Sequence, residues 1–288
     1  MITTQESTAT TTVPTLVTST APTSSKKLAL LIGINYKGSD GELAGCINDV
    51  ANVKDVLKQV YNYQDEDIQM LTDDTTTKPN KQNICNALLT LAKQSHEKSV
   101  KEIWIHFSGH GSYEYDTSLQ SNERDKRNEC LVPLDYNQAG TISDNFINKV
   151  LATIQKDVRV VLVTDCCHSG TVSDLRYRYI SGSKSCIENP ACRVKYNANI
   201  IALSGCRDNQ VSMDAYLFKK SSGAMTTALL FVLKKFKYCI TCYQLLKHIR
   251  RFLKARSFKQ VPQITCNQKL DHSSLFSCVN PQPFLKND

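Results

Sequence analysis

Three apolar runs constrain this chain more than anything else in it: LALLIGI (Leu28 to Ile34), EIWIHFS within VKEIWIHFSGHG (100–111), and VRVVLVTD within VRVVLVTDCCHSG (158–170). Each is an apolar run too short to be a long helix, and the second and third are rich in β-branched or aromatic residues, so each reads as a strand buried on both faces. Such strands belong to parallel sheets covered by helices on either side. The segments between them agree. Cys46 to Tyr61 places Ile47, Val50, Val53, Val56, Leu57 and Val60 at helical spacing, and Lys81 to Ser95 does the same with Ile84, Leu88 and Leu91. A short strand at Ile68 to Leu71 stands between those helices, and a helix from about Asp144 to Ile154 leads into the third run. The pattern predicts an α/β fold with a mostly parallel central sheet and helices on both faces.

The flanks and the later chain are read as follows. Residues 1–26 form a Thr/Ser-rich tail, with ten Thr and four Ser among the first 25 residues, too few apolar groups to offset the entropy of ordering. A single unit is expected over 27–278, made of a larger part (27–175), a basic linker (176–197) and a smaller part (198–278), with a tail at 279–288. Tyr113 to Asn128 is polar and reads as a long exposed loop before a short apolar stretch at Cys130 to Leu134. In the smaller part, Ala198 to Leu203 reads as a strand. Gly223 to Phe236 and Tyr243 to Phe252 read as helices, and Pro262 to Cys266 as a last strand.

Composition removes several function classes. No run reaches the 18 or so apolar residues of a spanning helix, and no compact signal-peptide core precedes the first strand, so a soluble cytoplasmic protein without a membrane partner is expected. The twelve cysteines are irregularly spaced through core elements, unlike a disulfide framework. Cys239 and Cys242 make a lone CxxC, read as a helix-borne structural pair because zinc would need a second one. The net charge of +8 comes without basic clusters interleaved with stacking aromatics, so it is read as a solvated basic face and no nucleic-acid partner is expected.

The chemistry concentrates where two of the strands end. One ends in Ser108-Gly-His110-Gly, the other in Asp165-Cys166-Cys167-His168. In a parallel sheet both ends open on one crevice, so His110 and Cys167 can meet. A thiol and an imidazole suffice for nucleophilic acyl transfer: the imidazole takes the thiol proton, the thiolate attacks a carbonyl, and the imidazole then protonates the leaving amine. Backbone N–H groups of Gly111 and Cys167 are the candidates for an oxyanion hole. Asp49 follows the first strand and Asp165 ends the third, so two carboxylates approach the same crevice and favour a cationic side chain over an anionic one.

The motifs FSGHG and DCCHSG, the opening segment LIGINYKGSDGELAGCINDV and the later IALSGCRDNQVSMDA together resemble the metacaspases, caspase-fold cysteine peptidases of plants, fungi, protists and microbes. The resemblance runs from Lys27 to about Cys278. It is similar to the type I arrangement, with a Thr-rich tail where a prodomain often stands. By this resemblance Cys167 is the nucleophile, His110 the base and Cys166 a packed neighbour; His168 is a rival base, disfavoured because adjacent side chains on an extended backbone point apart. Cys46, Asp49, Ser108 and Asp165 match the positions lining an S1 pocket for Arg or Lys. Substrates are then proteins or peptides with a basic P1 residue, and the chain is expected to be a monomer.

Two further expectations follow. A peptidase that cuts after Arg or Lys and carries Arg176, Arg178, Lys184, Arg193 and Lys195 close to its own nucleophile is a candidate for self-processing in that linker. Many metacaspases hold calcium on a cluster of aspartates. Here Asp144 and Asp174 match two of them, while Asn128 and Asn145 stand at the other two, with Asp125 or Glu129 as possible compensation. Because calcium affinity rises with ligand charge, calcium is expected to bind weakly or not to be strictly required. The competing classes are a catalytically silent caspase-fold scaffold, which would have lost nucleophile or base, and a redox thiol protein. The second is disfavoured because vicinal cysteines form strained disulfides.

Overall fold

The structure, a computed structural model, describes residues 25–97, 99–115, 127–166, 175–180, 185–190, 192–205, 214–217, 220–271 and 273–277. In chain order the elements are β1 (Lys26–Gly33), α1 (Cys46–Gln59), β2 (Ile68–Thr72), α2 (Lys81–Gln94), β3 (Val100–Ser108), β4 (Gly111–Tyr115), β5 (Arg127–Leu131), α3 (Tyr136–Ala139), β6 (Ile142–Ser143) and α4 (Asp144–Ala152). Then come β7 (Arg159–Asp165), β8 (Tyr177–Tyr179), β9 (Ile187–Glu188), β10 (Asn199–Ser204), β11 (Asp214–Leu217), β12 (Lys220–Gly223), α5 (Ala224–Lys235), α6 (Cys242–Ala255) and β13 (Gln263–Cys266).

Eight strands form one sheet in the order β2-β1-β3-β7-β10-β13-β8-β9. The first five are parallel, and β13, β8 and β9 continue the sheet antiparallel. Side-chain alternation explains why the central runs are apolar throughout: each strand feeds two cores. Leu31, Val161, Val163, Ile201 and Leu203 pack with α1, α5 and α6 on one face. Leu30, Ile32, Val160, Leu162 and Ile200 pack with α2 and α4 on the other. The larger and smaller parts expected from sequence therefore share one continuous sheet through the β7–β10 pair.

Three expectations need correction. The ends of the segment read as a loop, Tyr113 to Asn128, are strands: β4 pairs with β5 antiparallel, and β5 with β6, in a separate three-stranded sheet. Their polar sequence hides them because a small outlying sheet has little core to face. The basic linker is not irregular throughout, since β8 pairs with β13 and β9 closes the sheet edge, with Arg178 opposite Thr265. Strands of two or three residues are too short to show alternation. Of the CxxC pair only Cys242 is helical and buried, while Cys239 precedes α6 and is exposed.

The sheet's carboxyl edge is level. Gly33 of β1 stands beside Ser108 of β3, Ser108 beside Asp165 of β7, and Thr164 beside Ser204 of β10. Gly33 lets α1 approach closely, because a Cβ there would lie 2.5 Å from the Cys46 carbonyl oxygen and 2.6 Å from Val50 Cγ2. The first turn of α1 is capped from the loop by Asn35, whose Oδ1 accepts from the Cys46 and Ile47 amides at 2.9 and 3.2 Å. Helix α1 is thereby pinned with Asp49 over the sheet edge.

Candidate active site

His110 lies two residues beyond Ser108, and Cys167 two residues beyond Asp165, the partner of Ser108 in the β3–β7 ladder. The described strand ends from which both segments leave are therefore adjacent. Cys167, His168 and Asp174 lie outside the described residues. Cys166 is fully buried and packs in the core on the α2 and α4 side, as a structural neighbour would.

The half-buried imidazole of His110 is held from three sides. Its Nε2 is 2.7 Å from the carbonyl oxygen of Gly41. A carbonyl only accepts, so Nε2 carries hydrogen in this contact, and in the neutral ring Nδ1 holds the lone pair. Its backbone N–H donates to the hydroxyl of Tyr36 at 2.9 Å, and that hydroxyl donates to the Val132 carbonyl at 2.6 Å. The Tyr36 ring lies 4.7 Å from the imidazole, centroid to centroid. Tyr36 is buried, with φ of 52° in the left-handed region, and burial pushes its phenol well above its ordinary pKa, so it stays a donor. Gly111, expected in the oxyanion hole, opens β4 opposite Leu131.

The four residues expected in the S1 pocket are all buried, and two of them, Ser108 and Asp49, are joined directly. Ser108 Oγ donates to Asp49 Oδ2 at 2.5 Å, and the Gly223 amide donates to both Asp49 oxygens at 2.9 and 3.0 Å. Asp165 Oδ2 accepts the Thr226 amide at 2.8 Å from the first turn of α5. A Cβ on Gly223 would lie 2.3 Å from Asp165 Oδ2 and 2.6 Å from Asp49 Oδ2, so the two carboxylates face the same point of backbone. Cys46, the first residue of α1, completes the set beside them as a buried thiol. Asp49 from α1 and Asp165 from β7 thus converge over the sheet edge.

Beneath them, His106 Nε2 lies 3.3 Å from Thr226 Oγ1, the hydroxyl of the residue whose amide holds Asp165. His106 is fully buried, and desolvation lowers its pKa to about 3, so it is a neutral ring. Sequence reading missed Tyr36, Gly41, His106, Gly223 and Thr226. Tyr36 and Gly41 sit inside the quoted opening segment and were visible as loop residues between strand and helix. Gly223 and Thr226 had no signal beyond helix periodicity, because their role lies in backbone amides that any residue possesses.

The candidate metal residues occupy the small sheet and the start of α4. Asp144 is buried at the first position of α4, and Glu129 is buried on β5, whose neighbour Cys130 pairs with Ser143. Asn145 Nδ2 donates to Asn128 Oδ1 at 3.2 Å, which engages one of the oxygens a cation would use. The donor set in view is thus two carboxylates and two carboxamides, all hard oxygen donors but low in charge. No cluster of three His, Cys, Asp or Glu side chains suited to a metal ion occurs among the described residues. No helix among them is long and apolar enough to cross a membrane.

The basic residues expected as self-processing candidates divide. Arg176 is ion-paired to Glu188 at 2.8 Å, and Arg178 lies half-buried within β8. Arg193 and Lys195 are exposed on backbone outside any strand or helix, and Lys184 lies outside the described residues. Burial holds two thiols elsewhere in their protonated form, Cys130 being pushed up to about 11 and Cys242 to about 12.

Comparison with known proteins agrees with this architecture. Residues 26–176 match the family model described as metacaspase, peptidase C14 domain. The chain is 33% identical to Metacaspase-1 of Mycosarcoma maydis, covering 87% of this chain and 73% of that protein. It is 32% identical to Metacaspase-1 of Kluyveromyces lactis over 87% of this chain and 68% of that one. Among solved structures, caspase-1 of Spodoptera frugiperda superposes with a TM-score of 0.57 at 13% identity, covering 92% of this chain and 97% of that one. A Geobacter sulfurreducens protein superposes with a TM-score of 0.60 at 23% identity, covering 87% and 96%. These two share the fold.

Proposed function

We propose, since this chain belongs to the metacaspase family of C14 peptidases, that it is a cysteine endopeptidase cutting after Arg or Lys, with Cys167 as nucleophile and His110 as base. The observation that supports this reading is the β3–β7 register, which pairs Ser108 with Asp165, each two residues before His110 and Cys167 in the sequence. With Nε2 donating to Gly41, Nδ1 of His110 is the basic nitrogen. It takes the Cys167 thiol proton, and the thiolate sulfur bonds to the scissile carbonyl carbon while the carbonyl π pair moves onto oxygen. Backbone N–H groups of Gly111 and Cys167 receive that oxyanion, an interaction worth about 3–4 kcal/mol per donor. The imidazolium then gives its proton to the leaving amine as the C–N bond breaks. Water, deprotonated by the same ring, releases the acyl group and regenerates the thiol.

Asp49 and Asp165, fixed by Ser108, Gly223 and Thr226, select the cationic P1 side chain. Calcium, where present, is held weakly by Asp144, Asp174, Asn128 and Asn145, with buried Glu129 adding charge. Self-processing falls at Arg193 or Lys195, exposed on irregular backbone, whereas Arg176 is held by its ion pair to Glu188 and Arg178 by β8; Lys184 lies outside the described residues.

The test is hydrolysis of Arg-terminated and Asp-terminated fluorogenic peptides by wild type, Cys167→Ala and His110→Ala, with and without calcium. Arg-terminated cleavage by the wild type alone is expected, with modest calcium dependence. Preference for Asp would overturn the pocket assignment, micromolar calcium activation the metal reading, and silence under every condition would make the chain a scaffold.

A further inference from the structure

Between Ala215 and Leu270 the chain has twelve Lys and Arg and no Asp or Glu. That exceeds the net +8 of the whole chain, so the remainder is net acidic and the positive charge is segregated. In the structure this stretch contains α5 and α6, which pack antiparallel: Phe231 meets Phe252 at 4.8 Å and Phe236 meets His248 at 4.6 Å. On their outer side lies a cavity of about 290 Å³ lined by Phe231, Lys235, His248, Arg251, Phe252 and Arg256.

The chemistry of this groove is unusual for a solvated face. Phe231 is 42% exposed at its rim. The Arg256 guanidinium lies 3.6 Å over the Phe252 ring and 5.9 Å from Phe231, a cation placed on an aromatic floor. Lys235, Arg251 and Arg256 are exposed, and none forms an ion pair among the described residues. Every charged group facing His248 is cationic: Lys235 on α5, and Lys247 and Arg251 on its own helix. Like charges gathered without counter-charge repel one another in the free protein, and an anionic partner relieves that repulsion.

We propose that the α5–α6 groove is an exosite for an acidic, aromatic-bearing segment of a protein substrate. Carboxylates of that segment meet Lys235, Arg251 and Arg256, and its ring enters the notch against Phe231. The groove is a single notch with one exposed ring, whereas single-stranded nucleic acid needs a succession of stacking platforms along a basic track. One exposed ring is also too little apolar surface to lie in a bilayer interface. This proposal rests on the peptidase reading for the nature of the partner. Phe231 and Lys235 lie roughly 8 and 14 Å along α5 from Thr226, at 1.5 Å per residue. At about 3.3 Å per extended residue, the acidic segment is then at least a few residues from the scissile bond.

A fluorescein-labelled hexapeptide of five acidic residues and one phenylalanine, with no Lys or Arg to be cut, is titrated with the full chain and followed by anisotropy. Saturable binding that weakens as salt is raised is expected. Lys235→Glu/Arg251→Glu/Arg256→Glu should bind about tenfold or more weakly, and Phe231→Ala several-fold more weakly, while both variants keep the wild-type melting temperature and wild-type hydrolysis of a short Arg-terminated peptide. Equal binding by wild type and the charge-reversed variant would overturn the exosite. So would tighter binding of an oligothymidylate or of phosphatidylserine vesicles than of the peptide. Because the hexapeptide assay needs no catalysis, binding without hydrolysis of the Arg peptide would leave the exosite standing and remove the catalytic reading instead.

Discussion

Replacing Gly223 by Ala adds a single methyl group at the point where Asp49 and Asp165, the acids proposed to select P1, converge. Gly223 has φ −62° and ψ 137°, a conformation open to any residue, so the backbone itself is not strained by the change. The conflict is steric and polar. The new Cβ would sit 2.3 Å from Asp165 Oδ2 and 2.6 Å from Asp49 Oδ2, about 1 Å inside ordinary contact with each. Relief requires moving either the carboxylates or the backbone of Gly223, and moving the backbone breaks its N–H donation to Asp49. Overpacking of this kind costs about 1–3 kcal/mol, and a hydrogen bond to a charged group is worth about 1.5–3 kcal/mol. The two are coupled and do not simply add. A loss of about 2 kcal/mol in transition-state stabilisation corresponds to about a 30-fold fall in kcat/KM. The assay is steady-state hydrolysis of an Arg-terminated peptide alongside a thermal melt. We expect at least that fall in kcat/KM, with a decrease in Tm of a few degrees. If Gly223→Ala kept kcat/KM within twofold of the wild type and melted at the same temperature, the two acids would not form the P1 recognition site at this point of backbone.

Other consequences follow from the same geometry. Tyr36→Phe keeps the ring but removes both the acceptor for the His110 amide and the donor to Val132, so kcat should fall about tenfold with KM little changed; an unaltered kcat would show that His110 is positioned without Tyr36. The neutral, buried His106 has a folded pKa of about 3 against an ordinary 6.5. Its folded pKa is depressed, so between those values the unfolded chain binds the extra proton and stability falls as pH drops, by about 2 kcal/mol at pH 5. Urea unfolding at pH 7 and pH 5 should show that loss in the wild type and a smaller one in His106→Gln, and equal losses would remove the assignment. For self-processing, Arg193→Ala/Lys195→Ala should remain full length under activating conditions on a denaturing gel, whereas Arg176→Ala/Arg178→Ala should still be cut. The opposite pattern would place the cleavage within the β8 region.

The legible parts of this protein are those governed by local periodicity. The runs at β1, β3 and β7 announce strands because each is fed into two cores and must be apolar on both faces. The candidate groups His110, Cys167, Asp49 and Asp165 were nominated by the rule that reactive residues gather at the carboxyl edge of a parallel sheet, and the described ones among them lie at or over that edge. The short strands β4, β5, β8 and β9 escaped notice, since an element of two to five polar residues on an outlying sheet or sheet edge carries almost no pattern.

By itself, then, the sequence determined the sheet and its helical cover and nominated the side chains for chemistry, because burial and reactivity are properties of residue types in order. Tertiary structure alone decided how those side chains are held. The Gly41 carbonyl on His110, the Tyr36 hydroxyl beneath it and the Gly223 and Thr226 amides on the two acids are contacts between segments far apart in the chain. Three of the four are made by main-chain groups, which every residue has and no sequence pattern marks. The alignment of α5 and α6 that gathers exposed cations around Phe231 is of the same kind: composition supplied the charge, and only helix packing gave it a shape.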